Sequence, residues 1–160
     1  MVEQNIYFQE LYKKLDNLCK DCYNSQEGVS EYIRQMDKYM SAGERYVEYW
    51  NIEYSNLKHI RWIRNQLAHE VGTFNSDIVK DADILFVSSF HEKVLNAEDP
   101  LSILRKIYLE QMKNANSKIN VNATQKPRDV NAIQEARMQP TKNEPSFLSK
   151  LLNIIKNFFK

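Results

Sequence analysis

Glycine and proline are nearly missing from the first hundred residues, and that scarcity decides what this chain can build. Glycine occurs only at positions 28, 43 and 72, and three of the four prolines lie after position 126. Both residues break helix interiors, one by excess backbone freedom and the other by a lost N–H donor. Their absence predicts long, uninterrupted helices.

The apolar residues recur at the spacing such helices need. Phe8, Leu11, Leu15, Leu18 and Cys22 mark the buried face of a first helix over Glu3 to Tyr23, with a break at Asn24-Ser25. A second helix is predicted over Ser25 to Met40, with Val29, Ile33, Met36 and Met40 turned inward. Ser41-Ala42-Gly43 reads as a turn or a kink. The third element, Glu44 to Val71, has the cleanest stripe: Leu57, Ile60, Ile63, Leu67 and Val71, with Gly72 as a natural helix end. After a loop at Thr73 to Ser76, Asp77 or Asp81 can cap a helix carrying Ile84, Leu85, Val87, Val94 and Leu95. Asp99-Pro100 is a helix start, with the acid as cap and proline at the first helical position. That fifth helix runs through Ile103, Leu104, Ile107 and Tyr108 to about Met112. Residues 1–112 are therefore expected to form an all-α, up-and-down bundle of four to five helices.

After Lys113 the composition changes. Asn, Gln, Lys, Ser and Pro dominate residues 113–145, which bury too little apolar surface to offset their ordering entropy and read as a disordered linker. Residues 146–160 are different again. Apolar side chains fall at 147, 148, 151, 152, 154, 155, 158 and 159, with Lys150, Lys156 and Lys160 elsewhere on the wheel. That is an amphipathic basic helix, suited to a membrane surface, a partner's groove or its own bundle.

The net charge of +1 conceals two opposite halves. Residues 1–112 hold 13 Lys/Arg against 18 Asp/Glu, a balance of −5, and residues 113–160 hold 9 against 3, a balance of +6. An acidic body does not attract nucleic acid through its overall field, so any RNA contact falls to a local patch or the basic tail. The opening Met1-Val2-Glu3-Gln4-Asn5 has no basic or apolar run of a secretory leader, and no stretch approaches the roughly 18 apolar residues of a spanning helix. The cytoplasm is the expected compartment, with peripheral membrane contact open to residues 146–160. Cys19 and Cys22 lie within an apolar helical stripe and read as reduced core or boundary residues rather than as half of a zinc site. No cofactor and no metal is implied, and His59 and His91 read as structural or exposed.

The residues able to do polar chemistry together close the third element: Arg64-Asn65-Gln66-Leu67-Ala68-His69. Arginine carries a permanent charge that forks onto phosphate. Histidine can give or take a proton near neutral pH. At about 100° per residue, His69 lies opposite the core stripe, together with Lys58, Arg61, Trp62 and Asn65. Arg64 lies near the edge of the core side, about 140° from His69. One regular helix does not bring the pair together. Either the helix is distorted near its end, or a second subunit completes the site across a two-fold axis. An outward indole at Trp62 favours the second arrangement, because it suits an interface better than water.

Arg64, Asn65, three residues and His69 resemble the signature of the HEPN superfamily, an Arg, often followed by Asn, and a His four to six residues on. The resemblance covers about residues 1–112. It implies a homodimer with a composite cleft built from the Arg/His helices of both chains, and a metal-independent endoribonuclease of toxin or defence type. In that chemistry Arg64 stabilises charge on the reacting phosphate, His69 moves a proton, Asn65 orients His69, and Lys58 and Arg61 hold flanking phosphates. An antitoxin or another protein partner fits the same setting. The alternative within the superfamily is a dimerising module that binds RNA, a partner protein or a membrane surface without cleaving.

Overall fold

The computed structural model describes residues 2–69 and 77–123, with side chains for 2–68 and 77–115. Among the described residues six helices follow one another: α1 (Val2–Tyr23), α2 (Val29–Lys38), α3 (Met40–Tyr46), α4 (Trp50–His69), α5 (Asp81–Leu95) and α6 (Pro100–Ala123). There is no strand among the described residues. The fold is an all-α bundle in which α1 packs against α2, α4 and α5, and α2 against α4. The chain divides into two compact units, Met1–Ile107 and Tyr108–Lys160, so the division falls inside α6, ahead of the composition change read at residue 113.

The core of the first unit is built from Phe8, Leu15, Val29, Tyr32, Met36, Trp50, Leu57, Ile60, Ile63, Phe90 and Leu104. Each such side chain contributes roughly 1.5–3 kcal/mol when withdrawn fully from water. The stripe expected on the third element is buried as spaced, Leu57, Ile60, Ile63 and Leu67 all facing inward; Val71 lies outside the described residues. On α1 the buried face keeps Phe8 and Leu15 of the expected stripe but takes Tyr12 and Cys19 in place of Leu11, Leu18 and Cys22. Asn5, Phe8, Tyr12, Leu15 and Cys19 point inward, while Leu11 and Leu18 are half-buried and Cys22 is exposed. Both stripes have helical spacing, and the one carrying the aromatic Tyr12 is the one that packs. Both cysteines are free.

Two glycines stand where helices approach closely. Gly28 has φ +51° and lies against Asp16, whose Oδ1 accepts the Val29 N–H at 2.9 Å and so caps α2 from α1. Gly43 corrects an expectation. Ser41-Ala42-Gly43 is not a turn but part of α3, and the helices break on either side of it, at Tyr39 and at Val47–Tyr49. A Cβ on Gly43 would sit 2.1 Å from Trp50 Cδ2, so the missing side chain makes room for the indole rather than for a bend. Trp50 is 2% exposed, and its Nε1–H points at Met40 Sδ at 3.3 Å. Tyr49, at φ +63°, takes the strained backbone that starts α4.

Two further helix ends differ from expectation. Neither Asp77 nor Asp81 caps α5; Asp83 does, its Oδ2 accepting the Lys80 N–H at 2.9 Å. The last expected helix does not stop near Met112 but continues to Ala123. Asn and Lys are tolerable in a helix and no proline intervenes before Pro127, so the loss of apolar residues did not mark its end. The start of α6 is as read. Asp99 accepts the Ser102 N–H at 3.2 Å, and also accepts a buried hydrogen bond from the Tyr32 hydroxyl. The expected helix end at Gly72, the 73–76 loop, the linker beyond residue 123 and the helix over 146–160 lie outside the described residues. Among the described residues no helix is long and apolar enough to cross a membrane.

Candidate functional site on helix α4

Helix α4 is held along its first half by its neighbours. Glu53 on α4 forms an ion pair with Lys93 on α5, and Tyr54 donates its hydroxyl to Asp37 on α2. His59 Nε2 lies 3.2 Å from Asp83 Oδ1, so the acid that caps α5 also ties that helix to α4. His59 is thus exposed and tied to Asp83, within the expectation of a structural or exposed residue. His91 lies 3.7 Å from Glu92 and is half-buried.

The second half of α4 is different. Arg64 and Asn65 are both exposed, and the Arg64 guanidinium donates to Asn65 Oδ1 at 3.2 Å. Among the described residues no carboxylate pairs with Arg64. A charge with a flexible stem and only a neighbouring amide to hold it can meet an incoming anion at little desolvation cost. Arg61 is half-buried, one turn earlier. Lys58 is exposed, its ammonium 5.0 Å from the centre of the Tyr54 ring. Trp62 is 49% exposed and stacks on His59 with ring centres 6.0 Å apart and planes 16° apart.

Of the residues singled out by sequence, the structure brings Arg64 and Asn65 together and leaves Lys58 and Trp62 outward. His69 is the last residue of α4, and its side chain lies outside the described residues. The backbone is α-helical from Trp50 through His69, so the described residues hold no distortion of the kind that would swing Arg64 and His69 onto one side.

One feature escaped the sequence. Arg64 lines a cleft of about 470 Å³ between α1 and α4, whose walls also hold Tyr12, Lys13, Asp16, Asn17, Lys20 and Leu67. Lys20 bridges Asp16 at 2.8 Å. Burial, and then the Asp16 charge, push the Tyr12 phenol well above its ordinary range, against the pull of Arg64 and Arg61. It therefore stays protonated and able to donate. Lys13, Asn17 and Lys20 stand at helical spacing beside Tyr12. That polar stripe was legible on α1, but not its position opposite Arg64. Among the described residues no group of three His, Cys, Asp or Glu could hold a metal ion.

A model of a family of unknown function, DUF6548, matches residues 6–159. The chain belongs to that family. The match takes in the Arg64–His69 segment and runs on through the basic residues at the C-terminal end. Comparison with curated proteins gave no match. Comparison with solved structures gave none either.

Proposed function

We propose that this member of DUF6548 is an HEPN-like, metal-independent endoribonuclease acting as a homodimer, with Arg64, Asn65 and His69 of two chains meeting across a two-fold axis. The observation that carries it is Arg64 exposed beside Asn65, without a carboxylate partner among the described residues, in the last turns of a helix whose other face is core. The exposed Trp62 on the same stretch offers the apolar surface that a seam between two such helices needs.

The chemistry follows from the residue types. The ribose 2′-hydroxyl attacks its own phosphodiester, the bond from phosphorus to the 5′ oxygen breaks, and a 2′,3′-cyclic phosphate and a 5′-hydroxyl remain. Arg64 neutralises the charge that gathers on the phosphorane-like transition state. His69, the last residue of α4, moves the proton. A two-fold axis makes two such sites, each pairing Arg64 of one chain with His69 of the other, and in each that His69 takes the proton from the 2′-hydroxyl and returns one to the leaving oxygen. Asn65, four residues before His69, orients it. DNA, without the 2′-hydroxyl, is inert. Such domains commonly serve as toxins or defence effectors, which extends to this chain by analogy alone.

Large apolar side chains stand exposed at Tyr49 and Ile52 as well as Trp62, and they favour a second reading, a dimerising module that binds RNA, a partner protein or a membrane surface without cutting. Incubation of the full-length protein with mixed RNA in excess EDTA separates the two. The nuclease yields 2′,3′-cyclic phosphate ends, and Arg64→Ala and His69→Ala each lose a factor of about 10² or more. RNA left intact by the wild-type protein selects the binding module.

A further inference from the structure

The α1–α4 cleft lies on the side of α4 that faces α1, and Arg64 is the residue of the proposed site that reaches into it. Its volume of about 470 Å³ is in the range of ligand sites. Its charges are Lys13, Lys20 and Arg64 against Asp16, a local balance of +2 on a body whose first 112 residues carry −5. Asp16, the one acid on the walls, is occupied twice: Oδ1 takes the Val29 N–H, and Oδ2 bridges Lys20. Lys13 has no carboxylate partner among the described residues. Gln9, Tyr12 and Asn17 add neutral donors to the same walls.

We propose that this cleft is a binding track for the phosphodiester backbone of single-stranded RNA, holding the strand beside the phosphate engaged by Arg64. The ligand chemistry follows from the wall. Lys13 and Lys20 stand seven residues apart, about 10 Å along α1, so they meet separate phosphates rather than clamp one. Tyr12 keeps its proton and donates to a phosphate oxygen. Few apolar side chains are present to grip a base, so binding is expected to be tolerant of sequence and strongly dependent on salt. The inference rests on the nuclease reading for the choice of RNA, but its test reads binding and needs no cleavage.

Fluorescence anisotropy of a labelled uridine dodecamer with the full-length protein, across a salt series, provides that test. Lys13→Gln with Lys20→Gln should weaken binding about tenfold or more and lower the slope of log affinity against log salt by about 1.4, two phosphates' worth for a single strand. Asn17→Lys, an exposed position in the cleft, should tighten binding and raise the slope by about 0.7. This gain cannot come from a folding defect. Lys38→Gln, a charge change on α2 outside the cleft, should leave both within about twofold, as expected of a distant surface charge. Inorganic phosphate at constant ionic strength should compete poorly with a track that uses several phosphates. No binding by wild type, unchanged binding by the double variant, no gain from Asn17→Lys, or full displacement by millimolar phosphate would each overturn the track. Intact RNA with these binding shifts present would overturn the nuclease reading alone.

Discussion

The two halves of α4 obey different rules. From Trp50 to Ile60 the side chains that face neighbouring helices are committed, Trp50 to the space left by Gly43, Glu53 to Lys93 and His59 to Asp83, while Ile52 and Lys58 stay exposed. From Arg61 onward the stripe of Ile63 and Leu67 still anchors the helix, but among the described residues the Arg64 side chain bonds to Asn65 and to no carboxylate, and Trp62 lies half in water. Uncommitted polar groups on a rigid element are what a site needs, since the scaffold positions them and a ligand need not break existing ion pairs. The first half supplies the rigidity and the second half holds the groups with chemistry left to do.

The sharpest way to break that contrast is to truncate the same residue type at both ends. Trp50→Ala should cost about 4 kcal/mol, since it empties a fully enclosed site. Trp62→Ala should change the stability of an isolated protomer by no more than about 0.5 kcal/mol. Chemical denaturation measures both. Equal losses would mean that Trp62 belongs to the scaffold.

Next in size is the buried pair that fixes the start of α6. Tyr32→Phe leaves Asp99 without the phenol proton in a closed site and should cost about 2 kcal/mol at neutral pH. Burial, and then the Asp99 charge, push the Tyr32 phenol well above its ordinary value. Below the unfolded-state pKa of about 10 both states hold the proton and stability is flat. Above it only the unfolded chain ionises, so stability falls as pH rises, by at most about 1.4 kcal/mol per unit for each such group. Tyr12, Tyr23 and the Cys19 thiol are shifted in the same direction, chiefly by burial. Tyr32→Phe should make the alkaline decline shallower without abolishing it, as a denaturation series from pH 8 to 11 can show.

A smaller loss than at Tyr32 is expected at Asp83, which caps α5 and holds His59. Asp83→Ala should cost about 1 kcal/mol, the usual loss for a helix cap. Since His59 stacks on Trp62, the same change should alter Trp62 fluorescence while leaving Arg64 and Asn65 in place. No spectral change would mean that the clamp at His59 does not reach the free half of the helix.

The parts of this fold that could be read from sequence are those set by one helix alone. The α4 stripe and the Asp99-Pro100 start depend on local spacing and capping, and both were legible. The misplaced break at Gly43, the altered face of α1 and the cap of α5 all depend on a partner that sequence does not name: Trp50 for the glycine, the neighbouring helices for Tyr12 and Cys19, and His59 together with Lys80 for Asp83. The same division holds at the site. That Trp62 and Asn65 face outward follows from a helical wheel. That Arg64 overlooks a cationic cleft on α1 requires the packing of residues more than forty positions apart in the chain, and no spacing rule encodes it.

The composite site across a two-fold axis can be tested by mixing. Arg64→Ala and His69→Ala proteins, each nearly inactive on RNA in EDTA, are combined, denatured and refolded together so that chains exchange. A hybrid dimer then holds one site with an intact Arg64 from one chain and an intact His69 from the other. With random exchange and self-complementary pairing, activity should return to about a quarter of wild type. Activity that stays at the level of the two single variants, while sedimentation shows that hybrid dimers have formed, would contradict a site shared between chains.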